Sequence, residues 1–215
     1  MLKFWYNISS FPVNLSINNE GIDGSGKTTL SRMLSAYLNE EGFETFLTRE
    51  PTDRFRPLMK DEGNADVENG INLFFQFTAD RFRHQFEIEK AVNEGKTVIC
   101  DRYLLSSYAY QGPVIEKFFR SREKTIEWMK LVSQIITVRP DITIFLRISP
   151  STSLKRITGR KTLSGFETPE FLQLATEYYE FLAHDSAIAL DADRKIGIVF
   201  DDLMTRVNKS LGFFR

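Results

Sequence analysis

Chemistry is written most plainly at Gly21, Ile22, Asp23, Gly24, Ser25, Gly26, Lys27 and Thr28, which fit the pattern G-x-x-x-x-G-K-[ST] without a mismatch. Glycines let backbone N–H groups close around phosphate oxygens where a Cβ would intrude. The spacing carries the Lys27 ammonium to the β- and γ-phosphates and sets the Thr28 hydroxyl to bind Mg²⁺, and the ATP-binding run extends to Thr29. A helix opening at Thr28 aims its positive dipole end at the same anion. A second acidic position follows the apolar run Thr97, Val98, Ile99, Cys100. Asp101 there stands where a P-loop enzyme keeps a carboxylate for Mg²⁺, usually through water. Phe77 and Arg81 are four residues apart, so on a helix they share a face.

These residues need elements to hold them. Val13, Leu15 and Ile17 precede the glycine loop as a strand, although Asn14, Ser16, Asn18 and Asn19 break the continuous apolar run expected of a buried central strand. Leu30, Met33, Leu34, Tyr37 and Leu38 follow at helical spacing, predicting a helix over 28–41 that Gly42 stops. Residues 43–48 read as a strand, and 53–69 as a polar connection. A long helix over 71–93 carries Ile71, Phe74, Phe75, Thr78, Phe82, Phe86 and Ala91 as its buried stripe. Residues 97–100 read as a strand, 106–112 as a connection, 121–137 as a helix and 142–148 as the clearest strand. Ser149 or Ser151 caps a short helix. Residues 159–168 are polar, basic and glycine-bearing, as a lid would be. Thr168-Pro169 starts a further helix with Phe171, Leu174, Ala175, Tyr178, Phe181 and Leu182 on its face. A strand over 187–190 and a helix over 198–211 close the chain. Alternation of this kind predicts an α/β fold, a parallel sheet covered on both faces, with ligands beyond the carboxyl ends of the strands.

Composition bounds the rest. A chain of 215 residues with 42% hydrophobic content supports one core, read as a single domain over 1–215 with a lid at about 156–168. A formal net charge of −1 argues against a general nucleic-acid binder. The single cysteine, Cys100, leaves no disulfide framework and points to a reducing compartment, the cytoplasm. No apolar run is long enough to span a bilayer, so no membrane is expected. The opening stretch has Lys3 and aromatics, but Asn7, Ser9 and Ser10 interrupt it and it reads as leading into the strand, not as a secretion signal.

The run Glu20 to Thr29 resembles the P-loop of the thymidylate kinase family. Four later segments match in the family's order: Thr48-Arg49-Glu50-Pro51; Phe75-Gln76-Phe77-Thr78-Ala79-Asp80-Arg81; Asp101-Arg102-Tyr103 continuing to Ala109-Tyr110-Gln111-Gly112; and Arg139-Pro140-Asp141 with its strand. The resemblance implies a P-loop fold with sheet order 2-3-1-4-5, ATP-dependent phosphorylation of dTMP to dTDP, Mg²⁺ at Thr28 and Asp101, and a homodimer. It further implies that Arg49 and Arg102 hold the acceptor phosphate and that Asp23 lies near the acceptor sugar and phosphate. By the same resemblance Phe77 is expected to stack on the thymine ring, Arg81 to donate to its carbonyl, and Tyr110 and Gln111 to approach the nucleoside. The variable P-loop positions carry no arginine, so the catalytic positive charge is expected from the lid, from Arg160 first and then Arg156, with Lys161 nearby. The chain departs from the family where Thr52-Asp53-Arg54 replaces Gly-Gly-Thr after Arg-Glu-Pro, and in a short lid with Leu163 and Phe166. Two other activities fit parts of the pattern. A deoxynucleoside kinase or another pyrimidine monophosphate kinase would need a different acceptor seat, with Glu50 the base a nucleoside acceptor requires. A nucleotide-binding switch would bind without turnover.

Overall fold

A computed structural model describes residues 15–58, 64–159, 165–184 and 186–210. Five strands, β1 (Ser16–Glu20), β2 (Thr45–Arg49), β3 (Thr97–Asp101), β4 (Ile142–Arg147) and β5 (Ile188–Asp191), form one sheet of order β2-β3-β1-β4-β5. Every pairing is parallel, as the strand–helix alternation predicts. The register sets Asn19 opposite Asp101 on β3 and Ile144 on β4, so the loop after Glu20 and the Asp101 carboxylate emerge side by side.

The strands are joined by α1 (Lys27–Glu40), α2 (Val67–Asn93), α3 (Leu104–Phe119), α4 (Arg122–Val132), α5 (Pro150–Ile157), α6 (Pro169–Ala183) and α7 (Ile196–Ser210). Alternation along β1 separates the two helical layers. Asn19 points to α1, where its Nδ2 donates to Ser31 Oγ at 2.7 Å. Glu20 points the other way, accepting from Ser106 of α3 and Tyr179 of α6. Asn18 and Asn19 are buried with their amide nitrogens partnered, Asn18 Nδ2 donating to Glu20 Oε1 at 3.3 Å, while Asn14 lies outside the described residues. Val13 lies outside the described residues.

Three sequence expectations change. Residues 106–112 are not a connection but the heart of α3, buried on almost every side. Ser106, Ser107, Gly112 and Pro113 look like breakers, yet they serve close packing: a Cβ at Gly112 would run into the Tyr178 ring of α6. The stripe of α2 is also misassigned. Phe74 is buried, but Phe75, Phe82 and Phe86 are 49%, 41% and 56% exposed. The inward face instead carries Asp80, Arg81, His84 and Gln85, because it borders the site. On α6, Leu174 and Phe181 likewise face out while Leu172 and Tyr179 face in. Finally, the helix expected over 121–137 ends at Val132 in a 3₁₀ turn over Ser133–Ile135. Thr168 caps α6 as anticipated, accepting from the Phe171 N–H, and Ser149 rather than Ser151 caps α5.

Candidate active site

The glycine loop is shaped by backbone conformations that a side chain would strain. Gly24 has φ +75°, and a Cβ there would lie 2.8 Å from the Ser153 carbonyl oxygen of α5; a Cβ at Gly21 would lie 2.6 Å from that of Leu146. Lys27 is 5% exposed and donates to the Gly21 and Ile22 carbonyls at 2.9 and 2.8 Å and to Ser25 Oγ at 3.2 Å. Burial, joined by the positive charge of Arg102, lowers its pKa to about 8. The loop, with Thr28, Thr29, Asp101 and Arg102, lines a cleft of about 630 Å³.

At the mouth of β3, Thr28 Oγ1 donates to Asp101 Oδ2 at 2.5 Å, and Asp101 Oδ1 is buried with no partner. A hydroxyl and an unsatisfied carboxylate oxygen side by side are the hard oxygen donors that Mg²⁺ takes. Among the described residues no group of three or more His, Cys, Asp or Glu could hold a metal, so phosphate oxygens and water would complete the shell.

A second pocket of about 260 Å³ lies beside the cleft. It brings together Asp23, Phe77, Arg81, Arg102, Tyr110 and Gln111. Arg102 Nη2 donates to Asp23 Oδ1 at 2.7 Å, and its guanidinium lies 5.2 Å from the Tyr110 ring centroid. The Tyr110 hydroxyl donates to Asp23 Oδ2 at 2.9 Å and accepts from the Asp23 N–H at 2.8 Å. Burial pushes that phenol well above its ordinary range, so it stays a donor. Gln111 is buried with Oε1 unpaired. Arg81, 1% exposed, is held by Glu50, and its Nη1 has no partner.

The remaining sequence candidates lie at the edges. Arg49 pairs with Asp53 and lines the cleft rather than the smaller pocket. Arg156, on α5, lines the cleft and donates to the Gly24 carbonyl at 3.2 Å. Arg160, Lys161 and Leu163 lie outside the described residues. Phe166 lines the smaller pocket, as do Pro51, from the segment Thr48-Arg49-Glu50-Pro51, and Leu73 and Ser107, which sequence reading missed because nothing in their type or spacing marks them. Arg56 and Arg194 line the cleft and were also missed. Arg194 could have been found from its place just past the carboxyl end of β5.

Glu50, Asp23 and Arg102 belong to the walls of both cavities. Two adjoining seats, one for a triphosphate and one for a phosphorylated acceptor, are what a P-loop nucleoside monophosphate kinase needs, and that is the class of enzyme this chain falls in. Comparison with known proteins narrows the class. The family model for thymidylate kinase matches residues 20–203. A probable thymidylate kinase of Thermoplasma volcanium is 42% identical over 194 residues, covering 90% of this chain and 97% of the relative. Those of Thermoplasma acidophilum (37% over 193 residues, 88% and 96% covered) and Picrophilus torridus (41% over 202 residues, 89% and 95% covered) are similar to it as well. The chain belongs to the thymidylate kinase family.

Proposed function

We propose that this enzyme phosphorylates dTMP to dTDP with ATP, with dTMP in the 260 Å³ pocket and the ATP phosphates in the glycine-loop cleft. The observation that carries this reading is the shared wall. A monophosphate seated against Arg102 points into the cleft where Lys27 and the glycine-loop amides hold the donor. Phe77 gives the base a stacking face, Arg81 stands in the same wall with only N–H donors to offer, and Tyr110 and Gln111 contact the nucleoside. Asp23, tied to Arg102 and Tyr110, orients the acceptor's sugar and phosphate. Arg49 joins Arg102 on the acceptor phosphate by leaving Asp53; both side chains are substantially exposed, so that exchange costs little. Thr28 and Asp101 would hold Mg²⁺, which would neutralise negative charge on the donor phosphates. Arg156, already against the loop, supplies positive charge near the transferring group. Arg160 is proposed for the same role from sequence alone.

The chain works as one kinase domain with a lid at about 156–168. Phe75, Phe82 and Phe86 recur along one exposed stripe of α2, with the Phe82 and Phe86 rings 5.5 Å apart, and support a homodimer. A single, buried, free cysteine fits the cytoplasm. Among the described residues no helix is long and apolar enough to cross a membrane. Glu50, which a nucleoside kinase would need as a base, is engaged by Arg81 and His84.

The test is ADP formation with each monophosphate in turn. dTMP should be best and dUMP second, because only methyl packing separates them, about 1–3 kcal/mol. The monophosphates of cytosine, adenine and guanine should be poor. ADP release without a monophosphate, or with thymidine in place of dTMP, overturns the reading.

A further inference from the structure

Arg81 is among the largest fully buried side chains of the described residues, and its guanidinium is held on two of its three nitrogens. Nε donates to Glu50 Oε2 at 2.6 Å, and Nη2 donates to the Tyr103 carbonyl at 3.1 Å and Ser107 Oγ at 3.0 Å. Nη1 alone is left. The arrangement is unusual in one respect. A carboxylate beside an arginine ordinarily takes two parallel N–H bonds with its two oxygens. Here Glu50 gives Arg81 only one, because Oε1 lies 3.0 Å from His84 Nδ1. His84 is 1% exposed, and its Nε2 lies 2.8 Å from Thr48 Oγ1 on β2. The Glu50 N–H donates to the Asp101 carbonyl at 3.0 Å, fixing the backbone behind the carboxylate.

We propose that Thr48, His84 and Glu50 form a buried clamp that holds Arg81 in its split pairing, and that the enzyme's choice of acceptor base depends on this clamp. His84 is a positioning residue that never touches the acceptor. Holding Oε1 keeps Glu50 from swinging into a two-point pairing through Nε and Nη2. That swing would displace the Tyr103 and Ser107 contacts and shift the guanidinium within the pocket wall it belongs to. The inference rests on the reading that Arg81 faces the acceptor's base. A guanidinium held in place can only donate. It accepts a base with a carbonyl at that edge and rejects one with an amino group, whereas a loosened guanidinium discriminates less.

The experiment is the ratio of kcat/KM for dTMP to kcat/KM for dCMP in wild type, R81A, H84A, H84N and T48V. H84A should narrow the ratio at least 10-fold. T48V, which removes only the hydroxyl holding Nε2, should narrow it about 3-fold. H84N, whose amide nitrogen can replace Nδ1, should recover most of it. An overall loss of packing would lower both acceptors together and leave the ratio unmoved. If H84A fails to fold, T48V decides alone, since the methyl keeps the shape. A ratio within twofold of wild type in T48V and in any folded H84A overturns the clamp. R81A separates the two readings. If R81A also leaves the ratio unchanged, the base-site reading has failed; if R81A narrows it while H84A and T48V do not, only the clamp has.

Discussion

Binding of ATP at pH 8 should draw a proton onto the enzyme. In the free protein Lys27 is surrounded by protein, and burial, with Arg102 adding repulsion, lowers its pKa from 10.5 to about 8. That displacement amounts to about 3 kcal/mol against the charged form. The carbonyls of Gly21 and Ile22 hold the ammonium, but as dipoles rather than full charges. A triphosphate in the loop places full negative charge against Nζ and raises the pKa again. About half of Lys27 is neutral at pH 8 and about a tenth at pH 7, so binding should take up close to half a proton at pH 8 and little at pH 7. The sign follows from the direction of the shift: the ligand favours the protonated form, so affinity falls as pH rises through 8. In the ligand-free protein the unfolded chain binds the extra proton between about pH 8 and 10.5, so this group's contribution to stability rises with pH in that window. Calorimetric titration with ATP, in buffers of different ionisation enthalpy, reads the uptake directly. Lys27→Arg keeps the charge but cannot titrate there, and should abolish the uptake. No buffer dependence at pH 8, or the same uptake in Lys27→Arg, refutes the claim that Lys27 is desolvated and poised.

Three further outcomes are expected. Arg156→Ala should lower kcat by about 10²-fold with little change in KM for dTMP, the mark of a contact made in the transition state; Arg160→Ala is the parallel measurement, and full kcat in both would place the charge elsewhere. If the proposed homodimer docks through α2, Phe82→Glu should give monomers in sedimentation, and an unchanged dimer would move the interface off α2. Gly24→Ala should cost about 2 kcal/mol, seen as a lowered Tm, because φ +75° disfavours a side chain and the Ser153 carbonyl blocks it; an unchanged Tm would mean that the loop and α5 are not packed as described.

The parallel sheet was legible because turns, strand runs and the glycine loop obey local rules, whereas its strand order came only from the family resemblance. Thr168-Pro169 announces α6 in two residues. What stayed hidden depended on the third dimension. Ser106, Ser107, Gly112 and Pro113 have the composition of a turn, and only contact with Tyr178 explains Gly112 inside α3. Periodicity located α2 but could not orient it, since apolar residues occupy two faces and the inward one carries Asp80, Arg81 and His84. At the site, Asp23, Phe77, Arg81, Arg102, Tyr110 and Gln111 line one pocket while Arg49 lines the neighbouring cleft, and Leu73 and Ser107 are ordinary residues made into walls by the fold.

The polar β1 strand, which breaks the rule for a central parallel strand, has a physical reason in Arg102. That residue sits at φ +73°, a conformation that costs a non-glycine residue about 1 kcal/mol or more. The strain persists because neighbouring atoms on both sides are fixed. The Arg102 N–H donates to the Asn19 carbonyl at 2.9 Å, and the next N–H, of Tyr103, donates to Glu20 Oε1 at 2.9 Å. Glu20 Oε2 accepts from Ser106 Oγ at 2.5 Å, which ties the first turn of α3 to the same carboxylate. Burial raises the Glu20 pKa, and these donors together with the charges of Arg102 and Arg81 oppose that rise. An apolar residue at position 20 would leave the Tyr103 N–H buried and unpaired and release the turn that aims Arg102 at Asp23. The strand that feeds the phosphate loop therefore gives up apolar packing at Glu20 so that its last residue can hold the turn carrying Arg102, and the glycine loop and Arg102 are positioned by one five-residue element.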